Sequence, residues 1–109
     1  MSFEIVTEND YGHRIEAKVE DYDPVEDVIS AVDLSTFHTK EFLILKPDKT
    51  EVTILGQNLS DGTDGWMYTD IPMGSGVFNQ NGYYKIRARI WSNTQRFTSN
   101  AFGFEVKPE

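Results

Sequence analysis

The run Tyr83-Tyr84-Lys85-Ile86-Arg87-Ala88-Arg89-Ile90-Trp91 sets the tightest limit on how this chain can fold. Apolar residues fall at every second position, with cations between them. A β-strand turns successive side chains to opposite faces, so Tyr84, Ile86, Ala88 and Ile90 face inward and Lys85, Arg87 and Arg89 outward. A slip of one residue would carry every cation into the interior, so the register is well specified. The same period recurs in residues 13–20, where Ile15, Ala17 and Val19 share a face. It returns near the end, where Phe102, Phe104 and Val106 alternate with Gly103, Glu105 and Lys107.

Two runs are apolar on both faces, Phe42-Leu43-Ile44-Leu45 and Glu51-Val52-Thr53-Ile54-Leu55. Lys46-Pro47-Asp48-Lys49-Thr50 lies between them and predicts a hairpin closed by a Pro-Asp turn. Trp66-Met67-Tyr68-Thr69 and Phe3-Glu4-Ile5-Val6 read as further strands. Turn residues separate these runs at 9–12, 23–24, 61–65, 74–76 and 79–82. Asp33 is placed to cap one helical turn at Leu34-Ser35-Thr36. About seven short antiparallel strands with frequent turns predict an all-β, immunoglobulin-like β-sandwich, one domain over residues 1–109.

Composition narrows the chemistry. The 109 residues contain no cysteine, so disulfides and thiolate metal sites are excluded. No apolar run reaches membrane-spanning length, and Met1-Ser2-Phe3-Glu4 lacks the basic start and apolar stretch of a signal peptide. Synthesis in a cytoplasm without a signal peptide is the expectation. The net charge of −8 lies in the first third. Residues 1–33 carry ten acids against Arg14 and Lys18, whereas acids and bases balance over residues 34–109. Such a surface repels phosphates, so neither nucleic acid nor membrane is the expected partner.

The stretch Asp61-Gly62-Thr63-Asp64-Gly65-Trp66 resembles a metal loop in composition. Its two carboxylates fall short of the ligand set of a calcium loop, and no Glu follows until Glu105. Glycines that supply unusual φ and aspartates that bond their own turn are the expected role, with a weak calcium site as the alternative. His13, on the inward side of its strand, and His38 have no partner at ligand or catalytic spacing. No nucleophile elbow or phosphate loop occurs, so no catalytic, cofactor or metal residue is assigned, and an enzyme is not expected. Asn58-Leu59-Ser60 matches a glycosylation sequon without a secretion signal to give it meaning.

Charge placement is more informative. Lys85, Arg87, Arg89 and Trp91 form a basic stripe ending in an indole. It reads either as a solvated strand face paired with Glu16 or Glu20, or as a contact surface, where Arg and Trp are enriched. The acidic loop Glu20-Asp21-Tyr22-Asp23-Pro24-Val25-Glu26-Asp27 offers a complementary patch, with Asp21, Asp23, Glu26 and Asp27 as its contact residues. Solubility and edge protection are the plainer explanation of those acids. Trp66, Trp91, Tyr68, Tyr83 and Tyr84 suit core or strand-edge positions, with stacking on sugars as the alternative.

The segments "VDLSTFHTKEFLILKPDKTEV", "DGTDGWMYT" and "NGYYKIRARIWSNTQRFTSNAFGFEVKP", spanning residues 32–108, resemble short structural proteins of tailed bacteriophages. They are also similar to the immunoglobulin-like N-terminal domain of phage baseplate upper proteins. Where that family carries Gly in its "KPDGT" turn, this chain has Lys49, and its first third is more acidic. The resemblance implies a virion structural protein without enzymatic activity: a baseplate or tail-fibre adaptor, or alternatively a capsid decoration protein. It would contact other virion proteins in symmetry-related copies. A carbohydrate-binding module touching a host surface is the third reading.

Overall fold

A computed structural model describes residues 5–109. Alternation of apolar and polar side chains produces eleven strands among these residues: β1 (Val6–Thr7), β2 (Arg14–Lys18), β3 (Glu20–Asp23), β4 (Val28–Ala31), β5 (Thr39–Leu45), β6 (Glu51–Leu55), β7 (Gln57–Asn58), β8 (Trp66–Asp70), β9 (Gly82–Trp91), β10 (Arg96–Thr98) and β11 (Phe102–Lys107). The expected strand over residues 3–6 survives only as β1, and its first two residues lie outside the described part.

The larger sheet runs β1-β11-β9-β5-β6, and β10 continues the edge of β9 beyond β11. A second sheet runs β2-β8-β7, and β3-β4 form a separate two-stranded ribbon. The protein is thus all-β, with the two sheets packed as an immunoglobulin-like sandwich. Pairing is antiparallel except for β1 on β11, which is parallel. The expected number of about seven strands falls short because β7 and β10 are too brief to leave a periodic signature. The β3-β4 ribbon falls where the sequence predicts an acidic loop, because its strands are exposed on both faces.

The inward set of β9 is fully buried: Tyr84, Ile86, Ala88 and Ile90 meet Phe42 and Ile44 of β5. From the second sheet, Ile15, Ala17 and Met67 close on them, and Phe78 and Leu34 plug the ends. Burying such side chains contributes about 1.5–3 kcal/mol each before conformational entropy opposes it. Phe78 meets Tyr84 edge-on at 5.5 Å between ring centroids, and Phe104 stacks on Tyr84 at 5.9 Å. Between the stretches covered by β11 and β10, Ser99 holds the edge of β9. Its amide donates to the Ala88 carbonyl at 2.8 Å, and its hydroxyl accepts from the Ala88 amide at 2.8 Å.

The turns follow their sequences, with one exception to the ordinary residue rules. Asp33 accepts from the Ser35 amide at 3.0 Å and caps the 3-10 turn Leu34–Thr36. In the β5-β6 hairpin, Lys49 takes φ +75°, the left-handed conformation that glycine would adopt freely. The turn survives because the Lys49 amide donates to the Lys46 carbonyl at 2.9 Å and Asp48 accepts from the Thr50 amide at 3.0 Å. Lys46 is itself buried and pins the neighbouring loop, donating to the Gly76 carbonyl at 3.0 Å and to Asn79 Oδ1 at 2.9 Å.

Candidate interaction face

The residues 61–66 act as a clamp. Asp61 Oδ1 accepts from the Thr63 amide at 3.0 Å and from its hydroxyl at 2.7 Å. Those bonds, the hydroxyl first, hold the Asp61 carboxyl below its ordinary range. Asp64 accepts from the Trp66 amide at 3.0 Å and the Ser60 hydroxyl at 2.9 Å. Gly62 and Gly65 take φ of +93° and +78°. Their carbonyls reach outward: Gly62 accepts from Leu34 at 2.8 Å and Gly65 from Val19 at 2.9 Å. The turn reading of this motif therefore holds. Among the described residues, no group of three or more His, Cys, Asp or Glu side chains is placed to hold a metal ion.

The histidine expectation needs correction. His13 precedes β2 and is half-buried, its ring edge-on to the core residue Phe78 at 6.3 Å between centroids, but it has a carboxylate partner: its Nε2 lies 2.9 Å from Asp10 Oδ2. The turn through Gly12, at φ +85°, folds Asp10 back onto it. Contact with His13, then the Thr7 amide, lowers the Asp10 pKa. His38 is exposed. In the Asn58-Leu59-Ser60 sequon, Asn58 Oδ1 is buried without a hydrogen-bond partner among the described residues.

The basic stripe divides. Arg89 is a structural cation: its guanidinium donates to Oε1 of Glu41, the residue directly across from it on β5, and Glu41 is only 7% exposed. Glu16 and Glu20, the partners expected from sequence, belong to other strands outside this sheet. The Arg89 Cζ also lies 5.2 Å from the centre of the Trp91 ring. Lys85 and Arg87 are exposed and form no ion pair among the described residues.

Strand register shows what accompanies them. Arg87 lies opposite Leu43 and Lys85 opposite Leu45, and these leucines oppose Thr53 and Glu51 of β6. The outer face of the larger sheet therefore carries a leucine floor under a basic rim. A depression of about 160 Å³ is lined by Leu43, Leu45, Glu51, Lys85 and Arg87. An adjoining one is lined by Leu45, Lys49, Tyr83 and Lys85, with Tyr83 58% exposed. Leu55, 73% exposed, extends the apolar area to the sheet edge. The sequence does not single out Leu43, Leu45 and Lys49 as surface contacts, and it offers Tyr83 only as a core, strand-edge or sugar-stacking aromatic. The signal was the two-sided apolar run of β5, which supplies more leucine than one buried face needs.

The acidic loop is a hairpin. Pairs Tyr22–Ile29 and Asp23–Val28 join β3 to β4, and all eight strand residues are exposed. Asp23 caps the connecting turn, accepting from the amides of Val25 at 2.9 Å and Glu26 at 3.3 Å. Asp27 accepts from the Tyr22 hydroxyl at 2.8 Å. That bond, and burial after it, raises the Tyr22 pKa. Of the four acids assigned as contacts, Asp23 and Asp27 thus serve the hairpin itself. Asp21 and Glu26 make no ion pair among the described residues.

No protein-family model and no curated protein matches this chain. A solved structure similar to it is CopC from Methylosinus trichosporium OB3b, at 13% identity and a TM-score of 0.48 over 96% of this chain and 86% of that one. No phage component is among these matches. The virion readings, whether baseplate adaptor, tail-fibre adaptor or capsid decoration protein, are set aside, as is the sugar-binding alternative. The motifs that carried the resemblance have a structural explanation: residues 61–65 clamp a turn, residues 46–50 close a hairpin, and the late strands build the core.

Proposed function

We propose that this domain is a non-catalytic binding module that takes an acidic, partly apolar protein segment on the outer face of its larger sheet. The observation that carries this reading is the position of Lys85 and Arg87. On a chain of net charge −8, two exposed cations without carboxylate partners among the described residues flank a leucine-floored depression. A solvated strand face needs no apolar floor, and tyrosine and arginine are among the residues that interface centres favour. Glu51 is the one acid lining the depression and sits at its β6 side.

The test uses a short fluorescein-labelled peptide that alternates aspartate with aromatic residues. Anisotropy should report binding that weakens with added salt. The change Lys85→Glu with Arg87→Glu should weaken it about tenfold or more, the equivalent of ~1.4 kcal/mol. Equal binding by the folded double variant would reject the face.

A further inference from the structure

Strand register gives the β3-β4 hairpin two unlike faces. Tyr22 and Ile29 oppose each other and share a face with Glu20 and Ala31, while Asp21 and Asp23 lie on the other with Ser30 and Val28. Tyr22 is 53% exposed and Ile29 65% exposed. Residues 20–31 carry five acids and no base. An apolar ribbon face is thus presented to solvent inside an acidic rim. The outer face of the larger sheet is its converse, leucines inside a basic rim. The lengths are comparable: a four-residue strand spans roughly 10 Å end to end, and the run from Lys85 to Arg89 about 13 Å.

We infer that the acidic segment taken by this face is the β3-β4 hairpin of a second copy of the same chain. This rests on the binding face described above and names its occupant. Tyr22 and Ile29 of one copy pack on Leu43 and Leu45 of the next, and Glu20 and Glu26 approach Lys85 and Arg87. Donor and acceptor are different surfaces, so the contact is heterologous and leaves a free hairpin at one end and a free face at the other. Copies therefore add head to tail. The excess negative charge of the chain opposes approaches that set acid against acid, and this orientation sets acid against base. A hairpin is a small contact, at the low end of specific interfaces, so the association is reversible and concentration-dependent.

Two variants of the full chain test this. In the donor variant, Tyr22→Ser with Ile29→Ser removes the apolar ribbon face. In the acceptor variant, Lys85→Glu with Arg87→Glu reverses the rim. All four side chains are exposed and outside the core, so the melting of the sandwich should match the parent, although Tyr22→Ser gives up the bond to Asp27 within the hairpin. Sedimentation velocity of the parent should show an average mass that climbs past two chains with concentration. Each variant alone should stay monomeric. An equal mixture should form pairs and stop there, because the acceptor variant keeps its hairpin and the donor variant keeps its face.

A parent monomeric at millimolar concentration, or a mixture that fails to pair, overturns the inference. If the acidic peptide still binds in that case, the face stands and its occupant is another protein. If the peptide also fails to bind, both readings fall. A closed dimer formed by each variant alone contradicts the head-to-tail arrangement directly.

Discussion

The amide of Val19 donates to the carbonyl of Gly65 at 2.9 Å, and Val19 in turn accepts from the amide of Val32 at 3.0 Å. This short chain of bonds ties the base of the exposed acidic hairpin to the turn ahead of β8. A Cβ on Gly65 would sit 2.6 Å from the Val19 oxygen, and the residue is at φ +78°. Gly65→Ala should therefore cost about 2 kcal/mol, combining left-handed strain with the clash. Hydrogen exchange should quicken across residues 19–32 ahead of the core strands. Unchanged exchange there, with an unchanged urea midpoint, would remove the clamp role.

Lys49 occupies a glycine conformation at φ +75°, with its side chain exposed. Replacing it by glycine relieves roughly 1–2 kcal/mol of left-handed strain but adds freedom to the unfolded chain worth about 0.4–1 kcal/mol. Lys49→Gly should raise stability by about 0.5–1 kcal/mol in urea unfolding. A loss would mean that the lysine stem or its charge holds the turn.

Glu41 and Arg89 are coupled across β5 and β9. Removing only the cation, as in Arg89→Met, leaves a nearly buried carboxylate uncompensated and should cost about 2–4 kcal/mol. Adding Glu41→Leu should recover most of that loss, because a buried pair replaced by apolar groups is close to neutral. A double-mutant cycle with no coupling would show the pair to be incidental.

Asp61 and Asp48 are both held below the ordinary carboxylate value of 3.8, chiefly by the hydroxyls of Thr63 and Thr50. A depressed folded pKa contributes stability that is present above 3.8 and lost as pH falls through the lower folded value. The melting temperature should therefore drop below pH ~4, and less steeply in Asp61→Asn than in the parent. Parallel curves for parent and variant would contradict the assignment.

The sandwich was legible because period-two alternation in residues 13–20 and 83–91 leaves only one inward face to choose. Asp33 and the 61–65 turn were legible for a similar reason: short side chains bonding their own backbone act locally. The hairpin of residues 20–31 was hidden because its strands are exposed on both sides and carry no buried stripe. The Arg89–Glu41 pair was hidden because sequence gives the outward face of β9 but not which strand lies beside it. The leucine floor needed the same information, since Leu43 gains meaning only when register sets it beside Arg87.

Chemical-shift mapping on the full chain tests the central claim most directly. Titrating the acidic aromatic peptide into isotope-labelled protein should shift Leu43, Leu45, Tyr83, Lys85 and Arg87 together while leaving the second sheet still. Shifts gathered on β2 and β8 instead, or none at all at saturating peptide, would contradict a basic, leucine-floored binding face.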